Sequence, residues 1–232
     1  GILYTKDFTK IVEVPYNIKG EINIPAVTEN AMDFKEWWQD NPLTAINIDE
    51  AHETLSSAEG VLFNKDMSVL HVYPSFKSSL TYEVPSQVVE IDTMAFYGSY
   101  YLKELSMSDN VTKIGALAFF YSPSLESVKL SSSLKMIPHF AFEECASLKS
   151  VTIPEGVEKI GEGAFAYCDA LTSVIIPSTV TKIASEAFII ETENLRNVYC
   201  YATTPPAYWV PYYDEEDEDG WSDGDEGYIF TN

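Results

Sequence analysis

Ala-Phe pairs stand at Ala95-Phe96, Ala118-Phe119, Ala141-Phe142, Ala164-Phe165 and Ala187-Phe188, each 23 residues after the last. Other apolar positions keep the same step. Ile91, Ile114, Ile137, Ile160 and Ile183 precede the pairs, and Leu102, Leu125, Leu148 and Leu171 follow them. Leu105, Val128, Val151 and Val174 come next, then Met107, Leu130, Ile153 and Ile176. A unit this small cannot bury its own apolar side. A strict period held through five copies therefore restricts the chain to a solenoid, in which each rung covers the next.

One copy shows how a rung is built. In Leu148-Lys149-Ser150-Val151-Thr152-Ile153-Pro154 the apolar and polar residues alternate. This predicts a short strand with Val151 and Ile153 on one face and Ser150 and Thr152 on the other. Pro154 cannot donate to a ladder and closes the strand. Ile160, Ala164, Phe165 and Cys168 then recur at a spacing suited to a helical turn or an irregular arc, with Gly161 allowing a tight corner. Parallel pairing would set the rungs ~4.8 Å apart and stack each Phe on the next, with the paired Ala leaving it room.

The pattern Leu-x-x-Val-x-Ile-Pro-x-x-Val-x-x-Ile-Gly-x-x-Ala-Phe-x-x-Cys resembles the repeat of the BspA-like (treponemal-type) leucine-rich-repeat family. Leu148 to Cys168 and Leu171 to Phe188 match it best. Asp92, Pro138 and Ala184 replace its Gly, and Ser99 and Ser122 replace its Cys, departures expected to weaken single corners. The resemblance implies an α/β fold: a right-handed leucine-rich-repeat solenoid with short parallel strands, irregular or helical arcs and inserted β-hairpins.

The hairpins are visible toward the start. Gly1-Ile2-Leu3-Tyr4-Thr5-Lys6-Asp7 leads to Ile11-Val12-Glu13-Val14-Pro15, and the phrase returns 59 residues later as Gly60-Val61-Leu62-Phe63-Asn64-Lys65-Asp66 leading to Leu70-His71-Val72-Tyr73-Pro74. Each reads as a hairpin with a polar turn. Ile22-Asn23-Ile24 and Ile46-Asn47-Ile48 lie 24 apart, one rung with an extra residue. Between them, Glu29 to Asp40 reads as a short helix with an acidic start, whose Trp37 and Trp38 either close the side of the solenoid or mark a binding site. We assign 1–201 to the solenoid, with hairpin-bearing repeats over 1–85 and regular repeats over 86–201. Residues 202–232 form an acidic C-terminal segment expected to be a loop or partial cap.

That acidic segment holds one suggestive spacing. Glu215, Asp217, Asp219, Asp223 and Glu226, with Gly220, match positions of a calcium loop. No convincing helices flank them, and in so acidic a stretch such matches arise by chance. The expectation is no metal and no cofactor. Catalysis has equally little support. His52, His71 and His139 lie far apart in sequence, and neither a His-Glu-x-x-His pattern nor a Gly-x-Ser-x-Gly elbow is present. The three cysteines read as buried small hydrophobes, not as a disulfide framework.

Net charge bounds the partners. With 14 Lys plus Arg against 36 acids, the chain carries −22. A nucleic acid or an anionic membrane surface would need a basic face that is not visible. No run of 18 apolar residues exists, so direct membrane insertion is not expected. No secretory signal is found from Gly1 onward. An extracellular or cell-surface location comes from the resemblance alone.

Two surfaces remain. The outward sheet face carries Glu104, Ser127, Ser150 and Ser173, a flat strip that is either a contact surface or simply well-solvated strand residues. The rim carries Tyr97, Phe120, Tyr121 and Tyr167, whose rings suit protein or sugar recognition or else pack inward. By resemblance, the expected function is a non-enzymatic, adhesin-like surface or secreted protein. It would act as a monomer and bind a protein on a host or neighbouring cell. The alternatives are a glycan-binding protein using the rim aromatics and a structural spacer with no ligand.

Overall fold

The computed structural model describes residues 1–184, 186–189 and 197–200, the side chains of Trp37, Asp40, Asn197, Val198 and Cys200 excepted. Each regular repeat contributes one longer and one shorter strand. The longer strands form two parallel sheets, Thr81–Glu83 with Glu104–Ser106 and Ser127–Lys129, and Ser150–Thr152 with Ser173–Ile176 and Asn197–Cys200. Register follows the repeat: Glu104 lies opposite Ser127 and Ser150 opposite Ser173. Ile176 lies opposite Cys200, as their shared place in the repeat predicts. The two-residue strands, among them Lys113–Ile114, Met136–Ile137 and Lys159–Ile160, run along a second stripe.

The core between the stripes holds the expected aromatic ladder. Phe96, Phe119, Phe142 and Phe165 are fully buried. Their ring centroids step by 4.8, 4.7 and 5.2 Å, and Phe188 follows at 5.3 Å. The spacing matches that of strands in a sheet, so the rungs are held by rings and backbone together. The N–H groups of Phe96, Phe119, Phe142 and Phe165 each donate to the Ala carbonyl of the following rung, Phe142 to Ala164 at 2.8 Å. The small Ala permits this approach. The ladder also starts one rung earlier than the Ala-Phe pairs: Tyr73 stacks on Phe96 at 4.9 Å, and its N–H donates to Ala95.

Of the two forms the sequence allowed, the arcs take the irregular one, and the corner glycine has a different task. They are built from turns, and helix among the described residues is confined to Ala31–Phe34 and Lys35–Asp40. Each arc turns through two left-handed residues. Met94, Leu117, Phe140, Gly163 and Glu186 form one such column, and Gly98, Tyr121, Glu144 and Tyr167 the other. Gly161 is not among them. Its role is close approach, because a Cβ there would lie 2.6 Å from the His139 backbone nitrogen. Gly115 meets Thr93 in the same way.

Nor do Ser99 and Ser122 weaken their corners. Both hydroxyls donate to the Phe96 carbonyl, at 2.8 and 3.0 Å. Cys145 Sγ donates to the Phe119 carbonyl and Cys168 Sγ to the Phe142 carbonyl, at 3.3 and 3.1 Å. The position requires a small buried donor, and Ser or Cys supplies it. Both thiols are free and buried. Burial pushes Cys145 well above its usual range and Cys168 up to about 12. Neither thiol should therefore react with an aromatic disulfide reagent until the chain unfolds, because the thiolate is the nucleophile. Comparing labelling rates in buffer and in denaturant checks this; fast native labelling of either would contradict the packing.

The two hairpins form as expected. Leu3 faces Glu13 and Leu62 faces Val72, the same pairing 59 residues on. They differ in what covers them. Leu62 and Val72 are buried in a first core with Ile22, Ile46 and Trp38, while Val61, Phe63 and Leu70 enter the ladder core. The second hairpin is thus a wall between two cores. On the first hairpin Leu3 is 53% exposed, and Glu13 stands where the second has Val72, so this hairpin covers one core only.

Candidate binding surfaces

The sheet strip is laid out as the alternation predicts. Glu104, Ser127 and Ser150 are exposed, Ser173 is half-buried, and the intervening Leu105, Val151 and Val174 are buried. Beside it runs a charge ladder. Lys103 Nζ lies 2.9 Å from Glu126 Oε1, and Lys149 pairs with Oε2 of the same carboxylate. Hydrogen bonds from Lys149 and then Lys103 hold Glu126 at about 2. The charges that border the strip are thus paired with one another.

The rim has more to offer a partner. Tyr97 and Phe120 stack at 5.7 Å, and Phe120 touches Tyr121 at 6.4 Å. Tyr121 meets Tyr100 edge-on at 5.9 Å, and Phe76 bridges Tyr100 and Tyr101 at 4.9 and 5.9 Å. Six rings from three successive rungs thus join into one patch, and Tyr101 and Tyr121 remain 45% and 40% exposed. The left-handed backbone at Tyr121 turns the chain at the point where its ring meets the others.

Tyr167 does not belong to this patch. It occupies the column of Tyr121 two rungs away, with Glu144 between them. Glu143 takes the place that Tyr97 and Phe120 hold in earlier rungs. Its pKa is raised by partial burial and by the neighbouring Glu144, Glu186 and Glu162. The rim therefore changes along its length from aromatic to acidic. Among the described residues no group of three or more His, Cys, Asp or Glu side chains is placed to hold a metal ion. The calcium-loop candidates Glu215, Asp217, Asp219, Asp223 and Glu226 lie outside the described residues.

The histidines have local structural tasks. His52 is buried, with Nε2 on the Thr28 carbonyl at 2.9 Å and Nδ1 accepting from Leu55 N–H. His139 Nδ1 accepts from Glu162 N–H, and burial lowers its pKa. His71 Nδ1 lies 2.8 Å from Asp92 Oδ2, where Lys35 Nζ also arrives, at 2.6 Å. Trp38 packs rather than binds: it is 1% exposed, and its indole N–H donates to the Ala31 carbonyl. The side chain of Trp37 lies outside the described residues.

The sequence profile of the BspA type leucine rich repeat region matches residues 74–194 in six copies, over half of the chain. The chain belongs to that family. Solved structures agree. A leucine-rich cell surface protein from Faecalibacterium prausnitzii is 34% identical with a TM-score of 0.69, over 78% of this chain and 48% of its own. The pneumococcal vaccine antigen PcpA is 26% identical with a TM-score of 0.63, over 79% of this chain and 43% of its own. A leucine-rich-repeat protein of T. pallidum is 31% identical with a TM-score of 0.53, over 59% and 65%. The chain thus spans less than half the length of the first two. No curated protein sequence matches it. The family suggests a surface or binding role for this BspA-type chain, and no described helix is long and apolar enough to cross a membrane.

Proposed function

We propose that this BspA-type repeat protein is a non-enzymatic binding protein of the cell surface or secreted space, and that it recognises a protein on a host or neighbouring cell through its rim aromatics. The observation that carries the reading is the joined patch of Phe76, Tyr97, Tyr100, Tyr101, Phe120 and Tyr121, with Tyr101 and Tyr121 open to solvent. Core positions of a repeat are fixed by packing. An aromatic side chain left half-open at a position that does not pack is the kind of group that dominates interface energetics. Long repeat surfaces offer contact area rather than the enclosed, water-poor pocket that catalysis favours.

The test is capture of extracellular-matrix proteins and glycans by three proteins: the wild type, a Tyr97→Ala, Phe120→Ala, Tyr121→Ala variant, and a Ser127→Arg, Ser150→Arg variant of the strip. The rim variant is expected to lose about 30-fold or more in affinity, on the order of 2 kcal/mol for one anchoring aromatic. The strip variant should bind as the wild type does. Because the chain carries −22, a basic partner should bind more weakly as salt rises. Loss confined to the strip variant would move the site to the sheet, and a wild type that captures nothing would favour a spacer role.

A further inference from the structure

The longer parallel strands fall into three sheets, and the first break between sheets lies toward the start of the chain. Leu43–Ile48 pairs with Gly20–Ile24, and the next run begins at Thr81–Glu83, but these belong to separate sheets. Between them stand the corner at 57–60 and the loop at 77–79. A cleft of about 610 Å³ opens at this break, within the range of small-ligand sites. Its lining includes two carboxylate residues, Glu21 and Glu59, the amide residue Asn47 and the hydroxyl residues Thr44, Ser78 and Ser79. Glu21, Glu59, Thr44 and Ser78 use none of these side-chain groups in a hydrogen bond or ion pair with a described residue. The Lys77 ammonium, also in the wall, donates to the Glu59 carbonyl.

A second observation points to the same place. Tyr73 ends the aromatic ladder and is 1% exposed, yet its hydroxyl is buried without a hydrogen bond of ordinary geometry. Its polar neighbours are Ser79 and Glu59, both in the cleft wall. Burial, opposed by the Ser79 hydroxyl and reinforced by the Glu59 carboxylate, pushes the phenol up to about 12. A buried hydroxyl left unmet is destabilising. Phe fills the same ladder position in the five later rungs, so packing does not require the oxygen.

We propose that this cleft binds a short saccharide, its hydroxyl pairs received by Glu21 and Glu59 and its remaining hydroxyls by Asn47, Thr44 and Ser78. The chemistry discriminates against other ligands. Two carboxylates repel anions, and a wall with Ala45 as its largest apolar side chain offers little to an apolar ligand. A lysine or arginine side chain would meet the Lys77 ammonium in the same wall and supplies donors only. Sugar hydroxyls donate and accept, and so match every group present. The site is separate from the rim patch and does not depend on it.

The test titrates maltotriose, chitotriose, mannotriose and lactose in turn against the full chain by saturation-transfer NMR, with a tri-arginine peptide run beside them. At least one sugar is expected to bind with a millimolar Kd. Glu59→Gln and Thr44→Ala should each weaken it about tenfold, and Tyr121→Ala should leave it unchanged. Tyr73→Phe is expected to raise the melting temperature, because it removes a buried hydroxyl without a hydrogen bond of ordinary geometry. Melting curves of the other variants separate lost binding from lost folding. The proposal is overturned if no sugar binds, if binding is indifferent to both cleft variants, or if the arginine peptide binds more tightly than every sugar.

Discussion

Phe142→Ala is expected to destabilise the protein by about 3–5 kcal/mol, the upper range for deleting a buried ring. The ring is fully buried between Phe119 at 4.7 Å and Phe165 at 5.2 Å, and nearly parallel to both. Collapse of the resulting cavity is blocked on both sides. Phe119 N–H is tied to the Ala141 carbonyl and Phe142 N–H to the Ala164 carbonyl, each at 2.8 Å, so the rungs cannot close without breaking the backbone ladder. Ala141 and Ala164 each carry only a methyl group, which cannot swing into the space. The loss also falls on two rung interfaces at once, and in a solenoid those interfaces supply much of the stability. Denaturant unfolding followed by far-UV circular dichroism measures it. Phe188→Ala is the control: that ring is 9% exposed, and its cost should be smaller. A cost below about 1 kcal/mol at Phe142 would be incompatible with the stacked ladder.

The ladder was legible in the sequence because its cause is local and repeated. A core position in a solenoid meets its own copy one rung away, so the period carries the packing. The same logic would have found Tyr73, which lies 23 residues before Phe96. It was hidden because Val72 stands where the later rungs have Ala, and because the residues around it read first as a hairpin. The arcs were harder to read. Their left-handed positions are occupied by Met94, Leu117, Phe140 and Glu186 as well as by Gly163, so composition gives no signal for a conformation that glycine usually marks. Ser99 and Ser122 looked like departures only because residue names were compared rather than the donor each supplies. The rim patch was partly legible, since Tyr97 and Phe120 are one repeat apart. Tyr167 was grouped with them on residue type, although Glu143 and Glu144 separate it in space. The junction cleft was only half legible: Glu21 and Ala45 are strand partners one rung apart, but the segments around residues 58 and 78 reach them only through the hairpin that joins the two cores.

Asp92 is the other residue whose role the repeat pattern concealed. It occupies the place of a corner glycine, yet its carboxylate takes both Lys35 Nζ and His71 Nδ1 on one oxygen. Two more bonds join the same surfaces: Lys35 Nζ donates to the Thr93 carbonyl at 2.9 Å and Gln39 Nε2 to the Met94 carbonyl at 2.7 Å. The short helix Lys35–Asp40 therefore ties the first core to the first regular rung through this carboxylate. Burial by itself would raise the Asp92 pKa. Hydrogen bonds from His71 and Lys35 and the Lys35 charge outweigh it and hold the group at about 2, below the ordinary aspartate value of 3.8. A depressed folded-state pKa stabilises above the unfolded value, and the contribution is lost as pH falls through the folded one. The difference corresponds to roughly 2 kcal/mol, present at neutral pH and removed between about pH 4 and pH 2. Asp92→Ala is expected to cost at least that at pH 7, since it also strands a half-buried ammonium and imidazole. The variant should then show a flatter acid-unfolding profile than the wild type across that window. Hydrogen exchange gives the local reading: amides of 35–40 should lose protection in Asp92→Ala while those of the Phe119 to Phe165 ladder keep theirs. Equal loss in both regions would mean that the carboxylate supports the whole solenoid rather than the joint between its two cores.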